Sequence, residues 1–276
     1  MRTIAIINQK GGVGKTTTAV NLSSALAESG YRVCLIDLDP QAHASLHLGF
    51  DLAEDDPSIY DVLTGEAGLV DVQHRIDGEL WLVPSHIDLA AAEIELVGEV
   101  GREVILRDKL AEDSGNFDYI VIDCPPSLGV LTLNALTAVR EVLLPLQPHF
   151  LALHGLSKLL RTVEVVEQRL NPDLRLSGVA LCMYDSGTRL AAEVSADVDD
   201  FFAERSEVNE AWANAKSFKT RIRRNIRLAE APSFGQSIFE YAPQSNGAID
   251  YRALAEEVIA QQAEFLPPPR SLNVAN

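Results

Sequence analysis

The sequence predicts an α/β protein with a doubly wound, mostly parallel sheet. Short apolar runs rich in β-branched residues alternate with longer amphipathic runs, and several boundaries carry Gly or Pro. This alternation is typical of strands joined by helical crossovers. Of the 276 residues, 47% are hydrophobic and 23% are charged, which is an ordinary globular composition. A disordered, collagen-like or disulfide-scaffold chain is therefore excluded.

The elements follow from these two patterns, taken in chain order. Strands are predicted from short apolar runs at residues 3–7, 32–37, 80–84, 119–123, 141–146 and 178–183. Helices are predicted where apolar residues recur at helical spacing, at residues 16–29, 132–138, 153–170, 189–204 and 248–265. No turn-rich stretch between them is long enough to separate two domains. We therefore predict one domain over residues 1–265.

The last segment differs in composition from the rest. Pro267, Pro268 and Pro269 follow the final predicted helix and cannot continue it. Residues 266–276 are predicted to form a disordered C-terminal tail.

Charge and cysteine content limit the environment and the partners. The chain has 23 Lys and Arg against 40 Asp and Glu, giving a formal net charge of −17. Nucleic acid and anionic lipid therefore repel the chain as a whole, and either partner requires a local basic patch. The cysteines Cys34, Cys124 and Cys182 are far apart, so no disulfide framework or zinc ribbon is expected. With no signal-peptide core and no long apolar stretch, we expect a cytoplasmic protein without membrane association.

A glycine-rich loop connects the first predicted strand to a helix. Residues 9–18 read QKGGVGKTTT, and this strand, loop and helix context predicts a P-loop NTPase fold. The glycines allow backbone N–H groups to surround phosphate oxygens, Lys15 reaches the β and γ phosphates, and the Thr16 hydroxyl can bind Mg²⁺. A glycine-rich turn that only caps a helix is the alternative, and both lysines and the threonine argue against it. The predicted nucleotide-binding residues are Lys10, Gly11, Gly12, Val13, Gly14, Lys15, Thr16 and Thr17.

An aspartate ends the apolar strand predicted at residues 119–123. Ligands of α/β proteins bind at the carboxyl ends of parallel strands. Asp123 therefore matches a Walker B acid, and with Thr16 it is the predicted Mg²⁺ ligand, directly or through water. A strand-end aspartate without function is the alternative.

The loop departs from the standard P-loop pattern, which has glycine where Gln9 stands and lacks the second lysine, Lys10. The string KGGVGKTT resembles the deviant Walker A motif of the ParA and MinD ATPase family. The resemblance implies that Lys10 reaches the partner's phosphates across a nucleotide-sandwich dimer. LIDLDPQ at residues 35–41 is similar to the family's switch I, which implies that Asp39 positions the attacking water. Lys10, Lys15 and Asp39 are therefore the predicted catalytic residues, and residues 124–127 resemble switch II.

A later segment, residues 220–235, looks like that of chromosomal ParA, also called Soj. The Pro-Arg-Asn core of that family appears here as Arg223-Arg224-Asn225, so one proline is missing. Family members use this loop against the adenine, which implies nucleotide contacts for Arg223 and Asn225. Only two residues precede the first strand, so the chain resembles the short form without an N-terminal DNA-binding extension.

The same region concentrates positive charge. Six basic residues and no acid lie between positions 216 and 227, namely Lys216, Lys219, Arg221, Arg223, Arg224 and Arg227. In so acidic a chain this predicts a DNA-backbone footprint without sequence preference. A solvated charged loop is the alternative, and seven acidic residues between Glu193 and Glu210 oppose DNA attraction.

The family resemblance implies a Mg²⁺-dependent ATPase whose ATP-bound homodimer binds DNA on the nucleoid. A ParB-like or cargo-adaptor partner with a basic segment is then expected to stimulate hydrolysis, so that a chromosome or plasmid is segregated. Membrane binding of the MinD type is disfavoured because residues 255–265 are acidic, and an iron–sulfur reductase would need cluster cysteines. The alternative function is a nucleotide-switched positioning or scaffold protein for a cargo other than DNA.

Overall fold

An eight-stranded sheet organises the described part of the chain. The computed structural model describes residues 1–53, 56–112, 117–149, 152–205, 212 and 215–265, without the side chains of residues 205, 263 and 264. The strands are β1 (Arg2–Ile6), β2 (Val33–Asp37), β3 (His74–Asp77), β4 (Leu80–Val83), β5 (Tyr119–Asp123), β6 (Glu141–Leu146), β7 (Arg175–Tyr184) and β8 (Ser217–Arg223). They lie in the order β3-β4-β2-β5-β1-β6-β7-β8, and only the β3–β4 pair is antiparallel. The predicted doubly wound, mostly parallel sheet is confirmed.

Helices cover both faces of this sheet. They are α1 (Lys15–Glu28), α2 (His43–His47), α3 (Ile59–Thr64), α4 (Leu89–Glu95), α5 (Ile105–Glu112), α6 (Val130–Ala138), α7 (Ala152–Arg169), α8 (Arg189–Arg205), α9 (Ile226–Glu230), α10 (Ile238–Tyr241), α11 (Asn246–Ala260) and α12 (Gln262–Phe265). Short 3₁₀ turns span Leu69–Val72, Leu96–Gly98 and Ala231–Phe234. Helices α1, α2, α10 and α11 pack on one face, and α3 to α8 pack on the other. Among the described helices, none has both the length and the apolarity needed to cross a bilayer.

Side chains at strand β1 contribute to both hydrophobic cores, one on each face of the sheet. Ile4 and Ile6 pack into the layer that contains α1 and α11, whereas Ala5 and Ile7 pack into the opposite layer. All residues of β1, β2 and β5 are buried. A strand that is covered on both faces is apolar at consecutive positions. This is why apolar runs, rather than alternation, predict the central strands.

The edges of the sheet depart from the sequence prediction. Strand β3 alternates half-buried and exposed residues and pairs with β4 beyond a turn at Gly78. Strand β8 forms inside the basic segment, so the interpretation of that segment as a loop is wrong for Ser217–Arg223. Edge strands carry polar residues on their exposed side, which hides them from a search for apolar runs.

Smaller differences concern element boundaries. Strand β7 begins at Arg175, three residues before the predicted start. The last predicted helix is divided at Gln261 into α11 and α12. The predicted tail at residues 266–276 lies outside the described residues, as do Glu207 and Glu210, and the single-domain assignment stays a prediction.

Three strand ends define the edge of the sheet where the site lies. Asp123 of β5 pairs with Ile6 of β1 on one side and with Asp37 of β2 on the other. The chain places β2 and β5 on one side of β1 and returns to add β6 on the other side. This change of direction is the topological switch point at which open α/β sheets bind ligands.

Candidate functional site

The predicted phosphate loop connects β1 to α1 at this edge. Gly14, the N-cap of α1, has a φ of 94° and no side chain caps the first turn. Gly12 has a φ of 72°. Residues with a Cβ are strained at such angles, so the loop requires glycine at both positions. A Cβ built on Gly11 or Gly12 would meet no atom within 4 Å, so this side of the loop is open. The free N–H groups and the positive dipole end of α1 suit a bound phosphate.

Lys15 is the first residue of α1 and is buried beneath the loop. Its Nζ donates a hydrogen bond of 3.4 Å to the carbonyl oxygen of Lys10. Burial lowers the pKa of Lys15, and the carboxylates of Asp123 and Asp39 oppose that shift. The cation predicted to bind phosphate therefore lies close to both predicted acidic residues.

Asp37 and Asp39 at the end of β2 have different environments. Asp37 is fully buried and accepts hydrogen bonds of 2.8 Å from both the backbone N–H and the hydroxyl of Ser45. Burial raises the pKa of Asp37 to about 6, and the Ser45 hydrogen bonds oppose the shift. The Asp39 carboxylate instead accepts only one described hydrogen bond, of 3.0 Å from the backbone N–H of Gln41. Asp37 thus fixes the start of α2, and the Asp39 carboxylate keeps acceptor capacity for a ligand.

Asp123 is fully buried, and neither of its carboxylate oxygens has a hydrogen-bond partner among the described residues. Burial raises its pKa well above the usual value, and the charge of Asp37 adds to the effect. A buried carboxylate without a partner is costly, and a hard divalent cation removes that cost. The Thr16 hydroxyl lies near it and lowers the pKa, as Lys15 does. The two predicted Mg²⁺ ligands therefore come together.

The protein alone does not complete a metal site here. Among the described residues, no group of three His, Cys, Asp or Glu side chains is arranged to hold an ion. A cation next to Thr16 and Asp123 would therefore take its other oxygen ligands from phosphate and water, which is how proteins commonly hold Mg²⁺.

Lys10 lies at the mouth of the loop, and its side chain reaches the segment between β6 and α7. Its Nζ is 2.6 Å from Nε2 of His149, between β6 and α7. The neighbouring Asn8 donates to the carbonyl of Pro145 at 2.7 Å and accepts from the Lys10 N–H at 2.9 Å. The loop mouth is thereby attached to the end of β6 and to the segment after it.

A pocket of about 340 Å³ opens beside the loop. It is lined by Gly14, Thr17, Cys182, Met183, Ile222, Arg223, Arg224, Asn225, Ile226, Leu228, Ala229 and Tyr251. The structure thus brings the predicted residues Arg223 and Asn225 next to the loop residues Gly14 and Thr17. Apolar walls with a few polar groups are typical of small-molecule sites.

Both residues predicted to contact the adenine also form contacts within the chain. The Asn225 side chain caps α9, because its Oδ1 accepts from the Arg227 N–H at 2.9 Å. Arg223 pairs with Asp250 of α11, at 2.6 Å between Nη2 and Oδ1. The Arg223 charge is therefore largely balanced within the chain.

The basic segment contains both paired and unpaired cations. Arg221 donates to the Ser195 hydroxyl at 2.8 Å, and Arg227 pairs with Glu230 at 2.7 Å. Within the described residues, no side-chain partner is present for Lys216, Lys219 and Arg224, which are all exposed. Of the six predicted DNA-binding residues, these three have side chains that are available to a ligand and have no described partner.

Several residues of the site had no signal in the sequence. His149 lies 139 positions from Lys10, and no motif links them. Met183 has a φ of 52°, which is unusual for a residue with a side chain, and it lines the pocket. Tyr251 reaches from α11 to the Thr18 hydroxyl at 3.1 Å. Among the residues that the sequence analysis missed, Asp37 could have been identified, because it stands two residues before Asp39 at the same strand end.

Comparisons with known proteins agree along nearly the whole chain. An AAA domain family model matches residues 1–176. The sporulation initiation inhibitor protein Soj of Bacillus subtilis is 48% identical over 258 residues, which cover 93% of this chain and 98% of the relative. The chromosome-partitioning ATPase Soj of Thermus thermophilus is 46% identical over 266 residues, covering 96% of this chain and 98% of the relative.

A solved structure matches equally well in length. It is a Mycobacterium smegmatis protein described as cobyrinic acid a,c-diamide synthase with bound ADP and magnesium. Its TM-score is 0.79 at 38% identity, and the match covers 97% of this chain and 100% of that one. The same protein with a bound ATP analogue and magnesium has a TM-score of 0.78.

Proposed function

The chain belongs to the Soj/ParA family of chromosome-partitioning ATPases, and from this premise we propose that it partitions DNA in an ATP-dependent cycle. Mg-ATP closes a homodimer, the dimer binds DNA without sequence preference, and a ParB-like or cargo-adaptor protein stimulates hydrolysis and release. The family resemblance carried by KGGVGKTT is confirmed by these relatives, whereas the steps of this cycle in the present chain remain our proposal.

The observation that carries the proposal is the meeting of Lys15, Asp39 and Asp123 under an open glycine loop. Lys15 binds the β and γ phosphates, and the N–H groups of the loop and of α1 surround their oxygens. Asp39, which has acceptor capacity left, orients the water that attacks the γ phosphate. Mg²⁺ held by Thr16 and Asp123 supplies positive charge against the phosphates when it is bound.

The adjacent pocket supports ATP as the nucleotide. It begins at Gly14 and Thr17, so a base placed there connects to phosphates in the loop. Ile222 and Met183 offer apolar contacts to a purine, and the polar groups of Arg224 and Asn225 lie at its rim. The ATP analogue bound to the Mycobacterium smegmatis relative supports the same assignment.

Lys10 supports the dimer. Its exposed side chain contacts His149, whereas Lys15 lies buried beneath the loop and donates to the Lys10 carbonyl. An exposed cation at the mouth of a phosphate site is suited to a phosphate on a second subunit. We therefore assign Lys10 to the partner's nucleotide.

The charges of the basic segment support DNA binding less strongly than the sequence suggests. Lys216, Lys219 and Arg224 are available, but Arg223 and Arg227 are balanced by Asp250 and Glu230. This balance favours a second candidate, a nucleotide-switched positioning protein whose cargo is not DNA. Both candidates use the same ATP site and the same dimer.

One experiment separates these candidates. The protein is loaded with ATP and Mg²⁺, and its retention on unrelated duplexes is compared with that of the ADP-loaded protein. Asp39→Ala holds the ATP state because phosphate contacts survive without an oriented water. Lys15→Ala is the control that loses the nucleotide. Retention only with ATP and regardless of sequence supports partition, whereas an ATP dimer that ignores every duplex favours the positioning protein.

A further inference from the structure

An apolar surface is exposed beside the segment that joins Asp123 to α6. Ile94 at the end of α4 is 77% exposed, and Val97 in the following 3₁₀ turn is 64% exposed. Their spacing of three residues places them on one side of the helical segment. Val97 also lines an open groove of about 420 Å³, which we call the α4–α6 groove. It is lined by Glu93, Val97, Arg102, Glu103, Leu128, Gly129, Val130 and Leu133.

The rim of this groove is acidic. Glu93 and Glu103 line it, and Glu95 and Glu99 belong to the same segment. Arg102, the cation of the lining, is engaged by Glu103 at 3.1 Å and by the Val97 carbonyl. Glu93 and Glu99 form no ion pair or hydrogen bond through their side chains within the described residues. The groove therefore combines the apolar lining residues Val97, Leu128, Val130 and Leu133 with uncompensated negative charge.

Glu93 connects the groove to the nucleotide site. Gly129 is the N-cap of α6 and stands two residues after the segment 124–127 that resembles switch II and follows Asp123. A Cβ built on Gly129 would lie only 2.0 Å from Oε1 of Glu93, so the carboxylate rests directly on the Gly129 backbone. A ligand that attracts the Glu93 carboxylate removes this contact from the segment between α6 and Asp123, the proposed Mg²⁺ ligand.

The charge of the rim decides which occupant fits. If this patch formed a two-fold dimer interface, it would face the same patch on a second copy of the chain. That contact would place one acidic rim against another. A basic segment instead meets complementary charge and can insert apolar side chains between α4 and α6. We propose that the α4–α6 groove docks a basic amphipathic segment of the partner that stimulates hydrolysis. This inference rests on the function proposed above and names the docking surface for it.

The test measures stimulation of ATP hydrolysis by the ParB-like partner and by a synthetic peptide of its most basic segment. Val97→Glu places a charge among the apolar lining residues of the groove. At least 10-fold more peptide should then be needed for half-maximal stimulation. The matched control is Val70→Glu, because Val70 is 62% exposed on the separate turn Leu69–Val72. The control should respond as the parent does, and both variants should keep the parental basal rate.

A second variant tests the charge of the rim. Glu93→Gln with Glu99→Gln removes the two unpaired carboxylates, so peptide affinity should fall several-fold and depend less on salt. Parental stimulation of Val97→Glu would exclude the groove and leave the proposed function intact. Loss of the ATP dimer in Val97→Glu, seen by light scattering, would overturn the assigned occupant in favour of a second copy. If the partner fails to stimulate even the parent, the proposed function itself is wrong.

Discussion

The Nζ of Lys10 lies 2.6 Å from Nε2 of His149, so the lysine proposed to act on a second subunit is held by its own chain. Burial lowers the pKa of His149, and the positive charge of Lys10 adds to the shift. The neutral imidazole is the form that accepts a hydrogen bond from an ammonium group. If Lys10 binds the partner's nucleotide as proposed, formation of the ATP dimer requires Lys10 to leave His149.

His149→Ala should therefore favour the ATP dimer, because Lys10 loses a contact that exists before dimerisation. Each of the two subunits has one Lys10–His149 contact. At about 1 kcal/mol for each hydrogen bond, loss of both contacts corresponds to a gain of roughly 10-fold or more in dimer affinity. Light scattering at increasing protein concentration with ATP measures it. His149→Gln keeps an acceptor and should stay near the parent, whereas Lys10→Ala should lose the dimer and retain ATP binding. A dimer affinity unchanged in His149→Ala would contradict the prediction.

Asp123→Ala should remove the Mg²⁺ dependence of nucleotide binding together with ATP hydrolysis. In the parent the buried Asp123 carboxylate has no hydrogen-bond partner among the described residues, and a cation balances its charge. Titration of Mg²⁺ against ATP affinity measures the effect. Asp118→Ala is a suitable control, since Asp118 lies just before β5 and its Oδ2 accepts from the Arg32 N–H at 2.9 Å. Superimposable Mg²⁺ curves for Asp123→Ala and the parent would exclude Asp123 as the metal ligand.

Arg224→Gln should weaken ATP-dependent DNA binding equally on all sequences, because phosphate contacts carry no base information. With three available cations in each subunit, the dimer makes about six contacts and the log–log salt slope is roughly −5. Loss of one contact per subunit should flatten it by nearly 2. Arg227→Gln is the matched control, since Glu230 already balances Arg227. Nucleotide affinity is measured on both variants because Arg224 also lines the base pocket, and equal slopes would argue against a DNA footprint.

The buried Asp37 carboxylate should make the nucleotide-free protein less stable as the pH rises from about 4 to about 6. Its folded pKa of about 6 is above that of an unfolded aspartate, so the folded state binds the proton more tightly in this range. Asp37→Asn should remove this dependence, with a relative gain of the order of 1–3 kcal/mol above pH 6. His47, whose pKa burial lowers to about 4, acts in the opposite direction. The difference between variant and parent in urea unfolding isolates Asp37, and parallel pH profiles would refute the assignment.

Arg2 and Glu141 form a buried ion pair of 2.6 Å that joins β1 to β6. Glu141→Ala leaves the Arg2 charge buried and uncompensated, so we expect a loss of about 3–5 kcal/mol in the free energy of unfolding. Glu28→Ala breaks the exposed pair of Glu28 with Arg252, also 2.6 Å, and should cost less than about 1 kcal/mol. Denaturant unfolding of both variants gives the comparison. Equal losses would show that burial does not control the strength of these pairs.

The central strands, the phosphate loop and the family could all be predicted from the amino-acid sequence. The chemistry of the loop lies in consecutive residues, so Gly12, Gly14 and Lys15 can be recognised without knowledge of any distant segment. Asp39 and Asp123 were equally accessible because each ends an apolar run, and the ends of parallel strands share one edge of the sheet. The catalytic and binding roles assigned to these residues stay predictions.

Which charges are available and which segments meet could not be predicted in this way, because both depend on contacts between distant parts of the chain. Arg223 is balanced by Asp250, 27 positions later, and Lys10 is held by His149 across the sheet edge. The basic segment became an edge strand because β7 offers it a parallel partner, although its exposed residues resemble those of a loop. Such pairings depend on the order of the strands, which brings together residues far apart in the chain. A local sequence pattern reports only on neighbouring residues, so it cannot predict pairings between residues that are far apart in the chain.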